Sequence, residues 1–301
     1  MKILNFGSMN IDYVYEVAHM MRPGETQSSL SRSVYAGGKG LNQSIAMARA
    51  GASVYHAGAV GQSDGAILLE TLEKDQVNTQ YIRVFENEAS GHAIISVDRE
   101  GQNSIILYGG TNQLITSEQI SEVLSDFKAG DFLLLQNEIS NNPIILEQAY
   151  ALGMTIILNP SPSDSKLTEL DLSKIDYLIL NEIEGHDLSG TKDQQMILTR
   201  LSEMYPDLKI VLTVGEAGAV YKDRNREIRQ DSYPVKTVDT TGAGDTFTGY
   251  FFASMYLGDS IERALDLAAR AAAISVTRSG AQRSIPFKEE VLSYEFHKNQ
   301  I

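Results

Sequence analysis

The chain of 301 residues contains no cysteine, which excludes disulfide bonds, thiolate catalysis and cysteine metal sites together. Positive charge is also scarce: 25 basic residues stand against 39 acidic ones, and the net charge of −14 repels phosphate backbones and anionic lipid. No apolar run approaches the roughly 18 residues of a membrane span, and MKILNFGSMN lacks the apolar region of a signal peptide. We therefore expect a cytoplasmic protein that binds neither nucleic acid nor membranes.

Short apolar runs alternate with helical patterns along most of the chain. KILNFG, SVYHAGAVG, DFLLLQ, TIILNP, DYLILN and KIVLTVG are flanked by Gly, Pro or Asn, which favours buried strands. Between them, stretches such as GLNQSIAMARAGA and NPIILEQAYALG carry apolar residues at helical spacings, and Thr116 and Gln119 have the spacing of a capping box. The alternation predicts an α/β fold with a mostly parallel, doubly wound sheet flanked by helices on both faces.

Two segments interrupt this alternation with hairpin patterns. Residues 91–108 contain two β-rich runs around DREGQ, and residues 11–35 place IDYVYEV and LSRSVYA on either side of RPGETQ. We predict a single domain over residues 1–301 from which these two segments project as a small β lid. Ordinary hairpins at the edge of the main sheet are the alternative.

The stretch TVDTTGAGDTFTG, residues 237–249, places three glycines and two carboxylates before an apolar run. Gly242 and Gly244 permit a tight turn and let backbone N–H groups approach a ligand closely. If Asp245 lies in the first turn of a helix, the free amides and the helix dipole add about +0.5 charge there. A carboxylate in such an anion site suits a base that deprotonates a hydroxyl while the amides hold a transferred phosphoryl group. An isolated GxGD is more often a glycine-rich turn, with the aspartate as a helix cap.

A second motif, AGGKGLNQS at residues 36–44, sets glycines and Lys39 before a helix with Asn42 in its first turn, although alone it could be a glycine hinge. No P-loop pattern G-x-x-x-x-G-K-[ST] occurs. Together GGKGLNQ and DTTGAGDTF resemble the motifs of the ribokinase-like (PfkB-type) carbohydrate kinases. LNFGSMNID, PGET, LNPSPS, LNEIEGHDLSG and VTRSGAQRSIP match further family segments in the expected order over nearly the whole chain. NID, GGKGLNQ and Glu138 look closest to the ribokinase branch.

The resemblance implies an ATP-dependent kinase that phosphorylates the primary hydroxyl of a small sugar, with ribose favoured and ribose 5-phosphate as the product. Asp245 matches the family's catalytic base, and the turn Gly242, Ala243, Gly244 matches its anion hole. Besides Asp245, the sugar contacts match Asn10, Asp12, Gly38, Lys39, Asn42 and Glu138. Carboxylates and amides suit hydroxyl recognition because they accept and donate hydrogen bonds. A solvated residue after a strand is the alternative for Glu138.

The resemblance also implies ATP, Mg²⁺ and an activating monovalent cation, K⁺. Asn181 and Glu184 match residues that organise Mg²⁺ and phosphates largely through water, although an Asn N-cap followed by an acidic first turn explains the same letters. The nucleotide site matches Asn181, Thr213, Gly218 and Gly244. The monovalent cation site, built mostly from backbone oxygens, matches Asp239, Thr241, Ser275, Arg278, Gly280 and Ser284.

Three positions call for local interpretations. Ala269 stands where relatives often present His or Asn near adenine, so the adenine contact there is expected to be apolar. Arg270 beside it is interpreted as a solvated helix residue, and His92 in the lid as a structural residue. Apolar residues on both sides of the lid pleat, among them Ile94 and Ile105, predict a homodimer in which two lids pair.

Several other functions stay open on the sequence alone. The substrate could be another sugar, a nucleoside or a fructose phosphate, and a phosphorylated substrate would need a cation such as Lys39 or Arg99. A non-catalytic sugar-binding regulator on the same fold is the alternative of another class. The intact Asp245 and glycine turn argue against that regulator.

Overall fold

The computed structural model describes residues 1–296, which include thirteen strands. They are β1 (Ile3–Phe6), β2 (Asn10–Glu16), β3 (Ser31–Gly37), β4 (Val54–Gly61), β5 (Asn78–Phe85), β6 (Gly91–Val97), β7 (Asn103–Tyr108), β8 (Phe132–Gln136), β9 (Thr155–Asn159), β10 (Tyr177–Asn181), β11 (Lys209–Thr213), β12 (Ala219–Lys222) and β13 (Glu227–Gln230). Nine of them form one sheet and four form another.

The nine-stranded sheet has the order β13-β12-β11-β10-β9-β8-β1-β4-β5. The strands from β11 to β5 pair in parallel, and β12 and β13 add an antiparallel hairpin at one edge. The prediction of a mostly parallel, doubly wound sheet is confirmed. The edge strand β5 was not predicted, because its exposed and half-buried residues do not form an apolar run.

Nine α-helices lie in the described part of the chain and cover the large sheet. They are α1 (Lys39–Arg49), α2 (Ala66–Lys74), α3 (Ser117–Leu124), α4 (Asn142–Leu152), α5 (Glu182–Ser189), α6 (Gln194–Met204), α7 (Ala243–Leu257), α8 (Ile261–Ser275) and α9 (Lys288–Ser293). One core joins the sheet to α1, α2, α7 and α8, and the other joins it to α3, α4 and α6. Because both faces are covered, central strands such as Phe132–Gln136 are apolar on both sides.

The four-stranded sheet has the order β3-β2-β6-β7. β2 pairs with β3 and β6 with β7 in antiparallel fashion, and a parallel pairing of β2 with β6 joins the two hairpins. The two segments 11–35 and 91–108 thus meet in one sheet. The edge strand β7 is exposed along its whole length.

The first turn of α3 corrects a local prediction. Thr116 Oγ1 accepts a hydrogen bond from the Gln119 N–H (3.2 Å), as a capping box requires. The Gln119 side chain is buried: its Nε2 donates to the Gly58 carbonyl (2.8 Å), and its Oε1 accepts no hydrogen bond from the Thr116 N–H. The reciprocal half of the box is therefore absent, because a buried amide next to the sheet binds a backbone acceptor there.

The interpretation of Arg270 as a solvated residue is wrong. Its guanidinium donates to the Val291 and Tyr294 carbonyls (3.1 and 2.8 Å) and lies 4.9 Å from the centre of the Phe296 ring. Arg270 therefore holds the C-terminal part of the described chain against α8, a contact that helical periodicity does not reveal.

Within residues 1–296 no helix is long and apolar enough to cross a membrane.

Candidate active site

Several predicted site residues, among them Glu138 and Asn181, lie at the carboxyl ends of the parallel strands. β1 pairs with β4 on one side and β8 on the other, so the winding of the chain reverses between β1 and β8. Ser8 follows β1 and Glu138 follows β8, while α1 and α7 begin beside them. Open α/β sheets bind ligands at such a switch point because loops diverge there and leave a crevice.

Asp245 is the third residue of α7 and is 8% exposed. Its Oδ2 accepts a hydrogen bond from Asn42 Nδ2 and its Oδ1 from Gln43 Nε2, both at 2.9 Å. The N-cap of α7 is Gly242, so the interpretation of Asp245 as a helix cap is wrong. The carboxylate is held by α1, in front of the N-terminus of its own helix.

Gly242 and Gly244 are explained by different structural features. Gly242 has φ of 76°, a conformation that side chains disfavour, and it packs against Ala281. A Cβ added to Gly244 would meet no atom of the described residues within 4 Å. Protein packing therefore does not explain Gly244. A glycine inside a helix also costs about 1 kcal/mol of helix stability relative to alanine. Its lack of a side chain leaves the helix N-terminus open to a ligand such as a phosphate.

Asn10 and Asp12 lie on β2, facing the end of β3. A Cβ added to Gly37 would overlap the Asp12 carboxylate, so the glycine before Gly38 lets that carboxylate lie against the β3 backbone. Asn10 Oδ1 accepts a hydrogen bond from Asn112 Nδ2 (2.8 Å). The small sheet thus presents an amide and a carboxylate to the crevice.

Glu138 is tied to the loops around it. Its Oε2 accepts hydrogen bonds from the Ser8 hydroxyl and from the Lys39 backbone N–H, the latter at 3.0 Å. Glu138 is therefore an organised member of the crevice, and the interpretation as a free solvated side chain is wrong. It joins the end of β8 to the loop after β1 and to the start of α1.

Three carboxylates and one ammonium group determine the electrostatics of the crevice. Burial and, to a smaller extent, Glu138 raise the pKa of Asp12 to about 7. Burial also raises the pKa of Glu138, against the opposing effects of Lys39 and Ser8. Burial acts to lower the pKa of Lys39, but Asp245 and the other nearby carboxylates outweigh it and raise that pKa. The site therefore surrounds the Lys39 ammonium group with carboxyl groups that stabilise its charge.

Asn181 and Glu184 form a complete capping box at the start of α5. Asn181 Oδ1 accepts from the Ile183 and Glu184 N–H groups (2.9 and 3.0 Å), and Glu184 accepts from Asn181 N (2.9 Å) and Nδ2 (3.1 Å). The interpretation of N-x-x-E as an Asn N-cap followed by an acidic first turn is thus confirmed. Residues 1–296 contain no group of three or more His, Cys, Asp or Glu side chains that could hold a metal ion. These oxygens fit a hydrated Mg²⁺ contacted through water, since Mg²⁺ retains waters.

Thr213 is the last residue of β11 and Gly218 lies in the turn after it, three strands from β8, so neither is in the cluster around Asp245. Thr213 Oγ1 donates to the Leu180 carbonyl (3.3 Å). Gly218 has φ of 94°, and a Cβ there would overlap the Gln230 carbonyl, so its local packing requires glycine. Ala269 is buried in α8.

The residues predicted for the monovalent cation lie in the loop before α7, at the end of α8 and in the loop after it, and Asp239 joins the two loops. Asp239 Oδ1 accepts from Thr241 N (2.9 Å) and Oγ1 (2.6 Å), and Oδ2 accepts from Gly280 N (2.9 Å). Arg278 turns to Glu290, and the hydroxyls of Ser275 and Ser284 donate to backbone carbonyls. With these side chains engaged, backbone oxygens are the groups that suit a cation here.

His92 matches its structural interpretation: its ring lies 5.9 Å from that of Tyr13 and 4.9 Å from that of Tyr108. The sequence interpretation missed Gln43, which contacts Asp245 directly, and Gln136, which contacts Gln43. A signal was available, because a glutamine inside the apolar run FLLLQ must be hydrogen-bonded when that strand is buried.

Known proteins similar to this chain show its family. The model of the pfkB family carbohydrate kinases matches residues 1–288. Ribokinase of Staphylococcus aureus is 36% identical over 300 residues, covering 96% of this chain and 98% of that protein. Deoxyribokinase of Salmonella typhimurium is 32% identical over 306 residues, covering 98% of each.

Solved structures give the same result. The structure of Arabidopsis thaliana ribokinase complexed with ribose and ATP superposes with a TM-score of 0.87 at 32% identity and covers 97% of each chain. Ribokinase from Thermotoga maritima superposes with a TM-score of 0.86 at 34% identity, covering 97% of this chain and 98% of that one. The chain therefore belongs to the pfkB family of carbohydrate kinases, phosphotransferases whose acceptor is a sugar hydroxyl.

Proposed function

We propose that the protein is an ATP-dependent ribokinase, which transfers the γ-phosphoryl group of ATP to the primary hydroxyl of ribose. The products are ribose 5-phosphate and ADP. The observation that carries this proposal is the Asp245 carboxylate, held by two amides beside the open N-terminus of α7. Relatives named ribokinase, and a ribokinase structure that contains ribose and ATP, support ribose as the acceptor.

Asp245 acts in this proposal as the general base. It removes the proton of the primary hydroxyl, whose oxygen then forms a bond to the γ-phosphorus while the bond to the β-phosphate oxygen breaks. The first-turn N–H groups of α7, with Gly242, Ala243 and Gly244, stabilise the charge on the transferred phosphoryl group. General-base catalysis contributes about 10² to 10⁴-fold to the rate.

The sugar hydroxyls are held by the groups that surround Asp245. Asn42 gives its Nδ2 to Asp245, and its Oδ1 is buried without a hydrogen-bond partner among the described residues. Such an orphan acceptor suits a donor hydroxyl from the sugar. The remaining proposed sugar contacts are Asn10, Asp12, Gly38, Lys39 and Glu138.

Two cations complete the proposal. Asn181 and Glu184 would contact hydrated Mg²⁺, which supplies positive charge to the ATP phosphates. Thr213, Gly218 and Gly244 would line the nucleotide. K⁺ would lie between the loops that Asp239 joins.

The rate of ADP formation in potassium should exceed the rate in a large organic cation at equal ionic strength. Identical rates would contradict the K⁺ site.

The edge of the small sheet supports a proposed homodimer. Four consecutive residues of β7, Ile105, Ile106, Leu107 and Tyr108, are each at least half exposed, so both sides of the pleat are apolar. An exposed apolar edge strand favours pairing with another strand. A second copy of this sheet, related by two-fold symmetry, would cover it, and the small sheets would then act as paired lids on the sugar sites.

A substrate panel tests the proposed reaction. ADP formation is measured with ribose, 2-deoxyribose, fructose 6-phosphate and a nucleoside as acceptors, and the highest kcat/KM is expected with ribose. The deoxyribokinase relative makes 2-deoxyribose the sharpest competitor. Phosphorylated sugars are disfavoured because the carboxylates around Lys39 repel an anion. Sugar binding without ADP formation from any acceptor would indicate the regulator instead.

A further inference from the structure

Asp245 is the end of a line of buried amide side chains that crosses the centre of the large sheet. Gln43 Nε2 donates to Asp245 Oδ1 (2.9 Å) and to Asn159 Oδ1 (3.0 Å). Gln136 Nε2 donates to Gln43 Oε1 (2.7 Å) and to Asn5 Oδ1 (3.0 Å). Gln43, Gln136 and Asn5 are at most 1% exposed, so these hydrogen bonds form where water is excluded.

The line of hydrogen bonds continues to a histidine, which determines which group donates and which accepts at each step. Asn5 Nδ2 donates to the Gly40 carbonyl (2.7 Å) and to Ser44 Oγ (2.8 Å). The Ser44 hydroxyl then donates to His56 Nδ1 (2.8 Å), and His56 Nε2 donates to the Gly7 carbonyl (3.2 Å). Burial lowers the pKa of His56 to about 4, so the ring is neutral and serves as both acceptor and donor.

This direction determines which end of the Gln43 amide faces Asp245. Gln43 Oε1 already accepts from Gln136, whose amide is oriented by Asn5. Reversing the Gln43 amide would set its oxygen against a carboxylate and its nitrogen against a donor. The buried line therefore keeps an N–H, rather than a carbonyl, directed at Asp245 Oδ1.

We infer that Gln43 is a positioning residue for the base: it fixes the carboxylate of Asp245 at Oδ1, and Gln136 and Asn5 fix Gln43. The inference rests on the proposed function, because it gives Gln43 a role through Asp245. A wholly structural amide would stabilise the fold but leave the kinetics of the base unchanged. Gln43 has no assigned contact with sugar or ATP, so its loss should lower kcat rather than raise KM.

The substitution Gln43→Glu tests the role with little change in shape. It replaces the N–H that faces Asp245 with a carboxylate oxygen, and a nearby like charge raises the pKa of a carboxyl group. Lys39 and Glu138 are the other charged groups facing Asp245, and both are unchanged. We expect kcat at pH 7 to fall by about 10²-fold, the acid limb of the kcat profile to move up by about one pH unit, and the KM for ribose to change less than about threefold.

Gln119→Glu is the matched control. Gln119 is also a buried glutamine, 3% exposed, but its amide donates to the Gly58 carbonyl and not to this line. Its substitution should lower Tm without moving the acid limb. The inference is overturned if Gln43→Glu keeps the wild-type kcat and pH profile, or lowers Tm alone as Gln119→Glu does.

Two further variants keep the test decisive. If Gln43→Glu does not fold, Gln43→Met preserves side-chain length without the hydrogen bonds, and it should lower kcat at nearly unchanged KM; an unchanged kcat would overturn the inference. Asp245→Asn is measured in parallel. Retained activity in Asp245→Asn would refute the proposed base itself, whereas retained activity in the Gln43 variants alone would refute only the positioning role.

Discussion

The two sheets contribute carboxylates to one crevice in different ways. The nine-stranded sheet, with α1 and α7, holds Asp245 between two amide donors that are themselves buried. The four-stranded sheet carries Asp12 on a strand that is half-buried from Asp12 to Tyr15, and burial raises the pKa of Asp12 to about 7. Its outer strand β7 is exposed from end to end. One carboxylate is thus fixed by a completed core, and the other by a sheet with an uncovered edge.

This difference suggests a division of labour. A base needs one fixed geometry, which a buried hydrogen-bonded network supplies. In the proposed function the small sheet recognises sugar and excludes water, which would require it to open and close, as less firmly packed parts of a fold do. We therefore expect changes at Asp245 to act on kcat, and changes on the small sheet to act on sugar affinity and assembly.

Asp245→Asn should give the largest effect. It removes the base without changing its bulk, so kcat should fall by about 10² to 10⁴-fold while ribose binding is largely retained. Steady-state kinetics and calorimetry of ribose binding measure the two quantities. A variant that keeps more than about a tenth of the wild-type kcat would end the assignment of the base to α7.

Asp12→Ala should act on the sugar. Loss of one partner of a buried hydroxyl costs about 1 to 3 kcal/mol, so the Kd for ribose should rise about 5- to 150-fold. The affinity for ATP should stay close to the wild-type value. Equal losses of affinity for both ligands would show that the small sheet does not recognise the sugar separately, and the division between the sheets would fail.

The pH dependence of ribose binding should sharpen the comparison. In the proposed site the ribose hydroxyls would donate to the ionised form of Asp12, whose pKa of about 7 lies well above the usual 3.8. Affinity should therefore increase with pH below about 7, by up to about tenfold per pH unit, and level off above it. Calorimetry on Asp12→Asn should show a flatter profile, whereas the same slope in both proteins would place the titrating group elsewhere, with Glu138 the first candidate.

The same pKa predicts a stability cost with a definite sign. Ionised Asp12 is less favourable in the folded chain than in the unfolded chain, so its penalty is absent below about pH 4 and grows as pH rises to about 7. Asp12→Asn should therefore raise Tm relative to wild type at pH 8 and lose that advantage at pH 4.

Ile106→Glu should have the smallest effect on chemistry and a clear effect on assembly. Ile106 is 66% exposed on β7, and a charge at a paired strand edge disfavours association. Sedimentation should shift from a dimer of twice 33.1 kDa to the 33.1 kDa monomer. Met204→Glu, at a 55% exposed position on α6, is the control and should stay dimeric. A wild-type protein that is already monomeric and fully active would contradict the paired lids.

Site residues could be predicted from the sequence where a residue type is unusual for its surroundings, such as glycine next to a helical pattern or a polar residue after an apolar strand. The glycines around Asp245 and Lys39 interrupt helical patterns, and the acidic and amide residues follow apolar strands, so both attract attention in the sequence. Gln43 was passed over because it follows Asn42 in the same motif, and one helical turn cannot show which side chain reaches α7. Arg270 was misread because its partners, Val291 and Tyr294, lie about 20 residues further along the chain.

The sequence by itself determined most of the strands and helices and the α/β fold class. A strand buried on both faces must be apolar, and an amphipathic helix must carry apolar residues every three to four positions. It also determined the turn at Gly242, where a positive φ favours glycine. Only the tertiary structure decided which amide faces Asp245 and how the two hairpins join through β2 and β6. Those contacts join residues about 80 to 200 positions apart, and local periodicity carries no information about pairs so distant in the chain.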